Sequence, residues 1–364
     1  MKISIIGAGN AGCAHAVKLT EIGHNVTLIK SSHSLHELNF EEIQKNGGIW
    51  CIDNTKEDRT SVFYKLYKIT RDFREGLMNA DVVIILTQSL QHQIIAERMI
   101  NYCHATIKMI LIIPGNLGSL YFYKYLNSSN IILAEGESTP FDARIIKPGL
   151  INILFKNVRN ALSFLPSSRK VEGLQIASQL VDTYRYSRNN IIESCLHNPN
   201  LIVHTVGVIM SASRIEMMKG EFWMYRESFT PSIWNLIEKL DNEKNSIIEY
   251  FGGKRQSYLD ACKFRNEYNL DKDSLEVFKS YANSGGPKGP DSLNTRYLYE
   301  DVQNGLCTLS LLGNISGIET PITNSLIHIA SSLIKYDFFA NTKNLYDLGL
   351  NGISTREIIN LINR

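Results

Sequence analysis

The sequence predicts an α/β unit built on a doubly wound sheet, followed by an all-α unit, and three observations carry that expectation. From the first residue to about residue 165, short β-rich apolar runs alternate with helical patterns. The first run leads straight into glycines at positions 7, 9 and 12. From about Asn190 onward the apolar spacing is almost entirely helical. At 364 residues the chain exceeds what one core usually organises, and its 44% hydrophobic content is ample for two. The expected units are 1–187 and 188–364.

Ile3, Ile5 and Ile6 make the first strand, and a helical pattern runs from Ala11 to Ile22. Between them lies Gly7-x-Gly9-x-x-Gly12. Gly7 permits the tight turn, Gly9 lets a backbone approach a pyrophosphate, and Gly12 lets the helix pack close to the sheet. Amides at the helix start, those of Asn10 and Ala11 included, then face an anion. This is the cradle of a Rossmann-type, dinucleotide-binding unit. A second strand, Val26 to Ile29, follows the Gly23-His24 stop.

Val82 to Leu86 is apolar throughout, as in a strand buried on both faces, and Thr87 then opens a helix that reaches about Ile100. Met109 to Ile113 is the next strand, and Pro114-Gly115-Asn116 follows it. Thr87 and Asn116 are therefore placed at the carboxyl end of the sheet, where ligands bind in such folds. Ile131 to Ala134 completes the alternation, Ile151 to Phe155 and Ala161 to Leu165 read as antiparallel edge strands extending the sheet, and Ser168 to Tyr184 as a helix closing the unit. The second unit reads as helices at Leu201 to Met218, Ser232 to Phe251, Ser274 to Tyr281, Thr308 to Ile315, Ile322 to Phe338 and Ser354 to Ile362, with a Gly/Pro loop at Asn283 to Pro290.

Composition removes several function classes. A formal charge of +2 over 38 basic and 36 acidic residues leaves no basic stripe for nucleic acid, so small molecules or other subunits are the expected partners, a homodimer among them. Cys13, Cys51, Cys103, Cys195, Cys262 and Cys307 show no CxxC pair or regular spacing, which argues against a zinc site or disulfide framework and for a reducing compartment. The apolar stretch before Cys13 is too short for a lipoprotein signal, and no run of about 18 apolar residues offers a membrane span. The expected setting is cytoplasmic, away from membranes, and no metal is expected.

Where NAD-binding units carry an acid after the second strand, about 20 residues past the glycines, this chain has Lys30-Ser31-Ser32. A cation and two hydroxyls suit a 2′-phosphate better than a free ribose diol, so NADP is expected, with NAD as the alternative.

One histidine stands apart. Asn198 and Pro199 begin a helix as N-cap and first helical residue, and His204 lies two turns inside among Leu201, Ile202, Val203, Val206, Val208 and Ile209. Such a ring is either a satisfied core histidine or an acid/base group in a cleft. Later, Arg296 and Glu300 share a helical face at i,i+4 spacing with Asp301 one step round. Alone this is also a surface ion pair.

Asn198-Pro199-x4-His204, Arg296-Tyr297-x-x-Glu300-Asp301 and the glycine motif, in this order and with a helical second half, resemble the octopine/nopaline dehydrogenase family. Thr139-Pro140-Phe141, Arg144 and Thr320-Pro321 extend the resemblance over nearly the whole chain. It implies reductive condensation of an amino acid with a 2-oxo acid by NAD(P)H. His204 matches the family's catalytic histidine, Asp301 its carboxylate partner and Arg296 a guanidinium suited to the oxo-acid carboxylate. Thr139 and Asn116 are expected at the substrate. Gly7, Gly9, Asn10, Ala11, Gly12, Lys30, Ser31 and Thr87 are expected at the cofactor.

Two departures are Thr205, where the family commonly has proline, and Lys30, where NAD-using members have an acid. The alternatives are a dehydrogenase of the ketopantoate reductase or glycerol-3-phosphate dehydrogenase sort, and a nucleotide-binding protein without catalysis.

Overall fold

The computed structural model describes residues 1–32, 35–284 and 288–364, apart from the side chain of Ser284. It divides into two compact units, Met1–Ser187 and Arg188–Arg364. The middle of the expected Gly/Pro loop lies outside the described residues.

The first unit holds twelve described strands: β1 (Lys2–Ile6), β2 (Asn25–Ile29), β3 (Gly48–Asp53), β4 (Val62–Lys65), β5 (Lys68–Thr70), β6 (Val82–Ile85), β7 (Met109–Ile112), β8 (Ile132–Gly136), β9 (Phe141–Lys147), β10 (Leu150–Lys156), β11 (Ala161–Leu165) and β12 (Tyr186–Ser187). Its helices are α1 (Asn10–Glu21), α2 (Glu37–Asn46), α3 (Phe73–Leu77), α4 (His92–Met99), α5 (Ser119–Leu126) and α6 (Lys170–Ala177). Eight strands form one sheet in the order β12-β11-β8-β7-β6-β1-β2-β5. Every residue of β6 and β7 is buried, as expected where helices cover both faces of a parallel sheet. From β1 the chain moves one way to β2 and later returns on the other side to β6, so the ends of β1, β2 and β6 form the switch point of a doubly wound fold.

Two expectations in this unit are corrected. β10 does not extend the main sheet; it pairs antiparallel with β9 and parallel with β3 in a second sheet of order β4-β3-β10-β9. The tight turn at Gly149, in a left-handed conformation, makes β9 the obligatory hairpin partner of β10, and only β11 returns to β8. The closing helix is also shorter than read. It ends at Ala177, after which the chain bends so that Leu180, Val181 and Tyr184 turn into the core.

Buried polar groups fix the loops at the carboxyl end. Glu135 of β8 is fully buried and accepts from the amides of Leu117 and Ser119 and from the Ser119 hydroxyl. A carboxylate from the next strand thus satisfies the open amides at the start of α5. His15 of α1 is fully buried against Phe141, and burial pushes its imidazole down from 6.5 to about 4. A histidine neutral in the fold but protonated in the unfolded chain removes stability as pH falls below about 6.5, and the loss levels off near the folded value. The fold is expected to lose about 2 kcal/mol between pH 7 and pH 5 through this group. Urea titrations at both pH values check it, with a His15→Phe variant expected to show a shallower loss.

The second unit is helical: α7 (Ile191–Leu196), α8 (Asn200–Ile209), α9 (Ala212–Met218), α10 (Met224–Glu227), α11 (Pro231–Tyr250), α12 (Tyr258–Asn266), α13 (Ser274–Ser284), α14 (Arg296–Tyr299), α15 (Cys307–Ser316), α16 (Pro321–Ile334) and α17 (Thr355–Asn363). A π-helical segment, Val302–Leu306, joins α14 to α15. The single helix expected over Leu201 to Met218 is two, bent by 69° at Met210-Ser211. There the Ser211 hydroxyl meets that of Ser228 at 2.8 Å in the interior, a polar contact that a continued helix would break. Among the described residues no single helix is long and apolar enough to cross a membrane.

Candidate active site

In the second unit the chemistry gathers where α8 meets α14 and the π segment. The Asn198 side chain accepts from the Asn200 amide at 3.0 Å and so caps α8. His204 then falls on the buried side of a helix whose residues Leu201–Ile209 are all buried. Its Nδ1 donates to Asp301 Oδ2 at 2.7 Å, and both side chains are under a tenth exposed. A carboxylate on Nδ1 fixes the tautomer and leaves Nε2 as the nitrogen for proton exchange.

Two further features hold this pair. The Tyr297 ring lies parallel to the imidazole, centroids 3.7 Å apart and planes 14° from parallel, which sets the ring plane. Asp301 stands at the entry to the π segment, a widened turn of the kind that re-aims side chains near functional sites. Within that segment Gly305 faces Leu201, where an added Cβ would come within 3.3 Å of the Leu201 Cα. The missing side chain lets α8 and the π segment approach closely enough for His204 to reach Asp301.

Arg296 opens α14, and Thr295 caps that helix by accepting from the Tyr297 amide. Its side chain is 53% exposed and its Nη1 lies 3.8 Å from Glu300, which is buried one turn on. The guanidinium is thus anchored on one side by a carboxylate and open to solvent on the other. Thr205 needs no proline's geometry, because its hydroxyl donates to the Leu201 carbonyl one turn back.

In the first unit the glycine cradle can be tested position by position. Gly7 has φ +121°, and an added Cβ would sit 2.4 Å from the Leu86 carbonyl oxygen. A Cβ on Gly12 would sit 1.7 Å from the Gly7 carbonyl oxygen. These two glycines are required by the fold itself. Gly9 is not: its φ of −87° suits any residue, and a Cβ there would meet nothing nearer than the His36 ring at 3.4 Å. The fold itself therefore does not require a glycine here, and the open space is what the close approach of a pyrophosphate would need.

Beside Gly7 the Thr87 hydroxyl is buried without a hydrogen-bond partner among the described residues. The Asn10 carboxamide oxygen accepts from the Ile145 amide at 2.8 Å, and the Ala11 carbonyl takes Nδ1 of His15. Lys30 directly follows β2 with its ammonium buried, donating to the Leu35 carbonyl, and Ser31 comes next, half-buried. Asn116 is buried in a left-handed conformation (φ 49°) and donates to the Ser89 hydroxyl at 2.7 Å. The Thr139 hydroxyl closes a local turn with Phe141, and its carbonyl accepts from Asn157.

Tyr297 and Gly305 were legible only in part. A tyrosine next to Arg296 carries no signal of stacking, whereas a lone glycine inside a helical run does signal close approach.

Residues 187–334 match the family described as NAD/NADP octopine/nopaline dehydrogenase, alpha-helical domain, and residues 3–132 match that of ketopantoate reductase PanE/ApbA. An opine dehydrogenase of Arthrobacter sp. (strain 1C) is 28% identical over 98% of this chain and 97% of its own length. The vitopine synthase of Allorhizobium ampelinum is 20% identical over 100% of this chain and 99% of its own. Octopine dehydrogenase, solved with NADH and agmatine, shares the fold at a TM-score of 0.78 and 17% identity, covering 100% of this chain and 98% of that one. Yersinopine dehydrogenase, solved with NADP+, does so at 0.76 and 11%, covering 96% and 97%. With the buried imidazole–carboxylate pair inside it, the helical second unit carries the alpha-helical domain of the octopine/nopaline dehydrogenase family, and the whole chain aligns with an opine dehydrogenase.

Proposed function

We propose that the protein is an NAD(P)H-dependent opine dehydrogenase, which condenses the amino group of an amino acid with a 2-oxo acid and reduces the resulting C=N bond to a secondary amine. The observation that carries this reading is the His204–Asp301 pair, buried and 2.7 Å apart, beside the half-exposed guanidinium of Arg296. The relatives named opine dehydrogenase and vitopine synthase, which align end to end with this chain, support it.

Bound NAD(P)H would supply the hydride. Gly7, Gly9 and Gly12, the amides of Asn10 and Ala11 and the Thr87 hydroxyl would hold it, with Lys30 and Ser31 near the adenosine ribose. NADP is the preferred form in this reading, because the turn after β2 runs Lys30-Ser31-Ser32 and carries no acid to bind a free ribose diol.

His204, its Nδ1 held by Asp301, would use Nε2 to pass a proton to the oxo-acid oxygen as it leaves as water. Arg296 would grip the oxo-acid carboxylate through its open edge and fix the carbonyl carbon. Asn116 and Thr139, at the carboxyl end of the sheet, would face the substrates. The overall balance is amine, oxo acid, NAD(P)H and a proton giving secondary amine, water and NAD(P)+. Burial pushes the Cys13, Cys51 and Cys307 thiols up to about 12 and that of Cys103 to about 11, so none of these is an activated nucleophile. Free thiols of this kind suit the reducing cytoplasm, where we place the reaction.

A panel pairing pyruvate and related oxo acids with each common amino acid, followed at the reduced-cofactor absorbance, tests the reading. Rapid oxidation is expected only when both substrates are present. Equal rates without any amine would identify an oxo-acid reductase instead. Arg296→Ala is expected to raise KM for the oxo acid about 10- to 100-fold, with little change for the amino acid, as loss of a bidentate carboxylate contact requires. Initial-rate titrations of each substrate check it.

A further inference from the structure

We propose that Arg71, with Arg98 converging on the same turn and Glu37 restraining it, reads the 2′-phosphate of NADPH, while Lys30 serves to shape the turn around it. This rests on the reading of the first unit as an NADP site and names the residue that makes the choice.

The placement follows from the sheet. β5 lies parallel beside β2 with Ile29 opposite Thr70, and the Lys30 amide donates to the Thr70 carbonyl at 3.1 Å. Arg71, the first residue beyond β5, therefore leaves the sheet beside the Lys30-Ser31-Ser32 turn. In a doubly wound fold that turn is where the adenosine ribose ends.

Two guanidiniums converge on the same turn. Arg71 lies 4.6 Å over the Phe40 ring of α2, and one of its nitrogens reaches the Ser32 carbonyl at 3.5 Å. Arg98, from α4, lies 4.4 Å over the Phe73 ring and donates to the Ser31 carbonyl. A guanidinium laid on a ring face keeps its N–H edge for ligands, and that edge matches a phosphate in fork geometry. Both rings are buried in the unit, so the two forks are held in place before any ligand arrives.

Lys30 is unsuited to the same task. Its ammonium is buried, donates to the Leu35 carbonyl and lies 3.8 Å from Glu37, so it brackets the turn from within. Glu37, at the start of α2, pairs closely with Arg71 as well. It occupies the Arg71 fork that a phosphate would take, and its own charge opposes a second anion. The turn carries Lys30, Arg71 and Arg98 against Glu37, an excess of positive charge that a ribose diol cannot use and a phosphate can.

Opposite signs are therefore expected from the two partners. Calorimetric titration of the full chain with adenosine 2′,5′-bisphosphate and with adenosine 5′-monophosphate measures the preference without any turnover. The natural protein is expected to bind the bisphosphate more tightly. Arg71→Ala should erase about tenfold or more of that preference and leave the monophosphate unchanged; Arg71→Lys should restore part of it. Glu37→Gln should raise the preference, because the fork is released.

If Arg71→Ala weakened both nucleotides alike, or Glu37→Gln lowered the preference as Arg71→Ala does, the residues would be bracing the loop and the assignment to Arg71 would fall. If the unaltered protein showed no preference for the 2′-phosphate, the NADP reading itself would fall, whatever the variants did. Thermal unfolding of each variant confirms that the comparison is made on folded protein.

Discussion

Replacing His204 with glutamine is expected to lower kcat about 100- to 10,000-fold, the range that removal of a positioned general acid produces, while nucleotide affinity stays within about twofold of the unaltered protein. Glutamine approximates the ring's reach and can still hydrogen-bond Asp301, so the packing around α8 is disturbed less than by alanine. The effect follows from geometry: an imidazole held on one nitrogen by a buried carboxylate and on one face by Tyr297 has its other nitrogen left for the proton transfer proposed above. Single-turnover measurement of reduced-cofactor oxidation, beside a fluorescence titration of cofactor binding, separates the two quantities. A variant that kept natural turnover would return His204 to the status of a satisfied core histidine.

The second large effect is expected at Asp301. Asp301→Asn should lower kcat about 100- to 10,000-fold, because a carboxamide no longer fixes which ring nitrogen carries the proton. In the proposed mechanism Asp301 acts through His204 as a positioning residue, so activity alone does not define its role. The readout specific to that role is the tautomer of His204, observed by nitrogen-15 resonance of the labelled ring. The natural protein is expected to carry the neutral-ring proton on Nδ1, and Asp301→Asn to lose that uniformity. A variant that lost activity while the ring kept its Nδ1–H form would show that the carboxylate works in some other way. Melting curves accompany the comparison, since removing one partner of a buried pair also destabilises.

The alternation of apolar runs with helical patterns was legible because parallel strands buried on both faces, such as Val82–Ile85 and Met109–Ile112, leave continuous apolar segments. The second sheet was not, because β3 and β9 interrupt their buried positions with exposed or half-exposed ones, β4 has only the latter, and their partners are set by turns and by sequence-distant pairing. The bend after Ile209 escaped for a related reason. The apolar period runs on unbroken, and the interruption is a serine contact with Ser228 that only the fold brings together.

At the site, residue types at motif spacing named His204, Arg296 and Asp301, and the structure sets His204 against Asp301 and Arg296 near Glu300. What the spacing could not carry is how the pair is held. Tyr297 stacks on His204 because α14 packs against α8, and Arg71 reaches the end of β2 only because β5 lies beside it, some 40 residues later in the chain. Lys30 shows the converse. Its place in the sequence is that of a ligand to the ribose, yet burial has turned its charge inward to the Leu35 carbonyl.

The most direct test of the account is the fate of hydride carried as deuterium. With the reduced cofactor labelled at the transferred position, pyruvate and an amino acid that the panel shows to be used, the account predicts a secondary-amine product. Its mass should equal the two substrates less water plus one hydrogen and one deuterium, and the deuterium should sit on the carbon that was the pyruvate carbonyl. A deuterated 2-hydroxy acid, formed at the same rate with or without the amine, would contradict it.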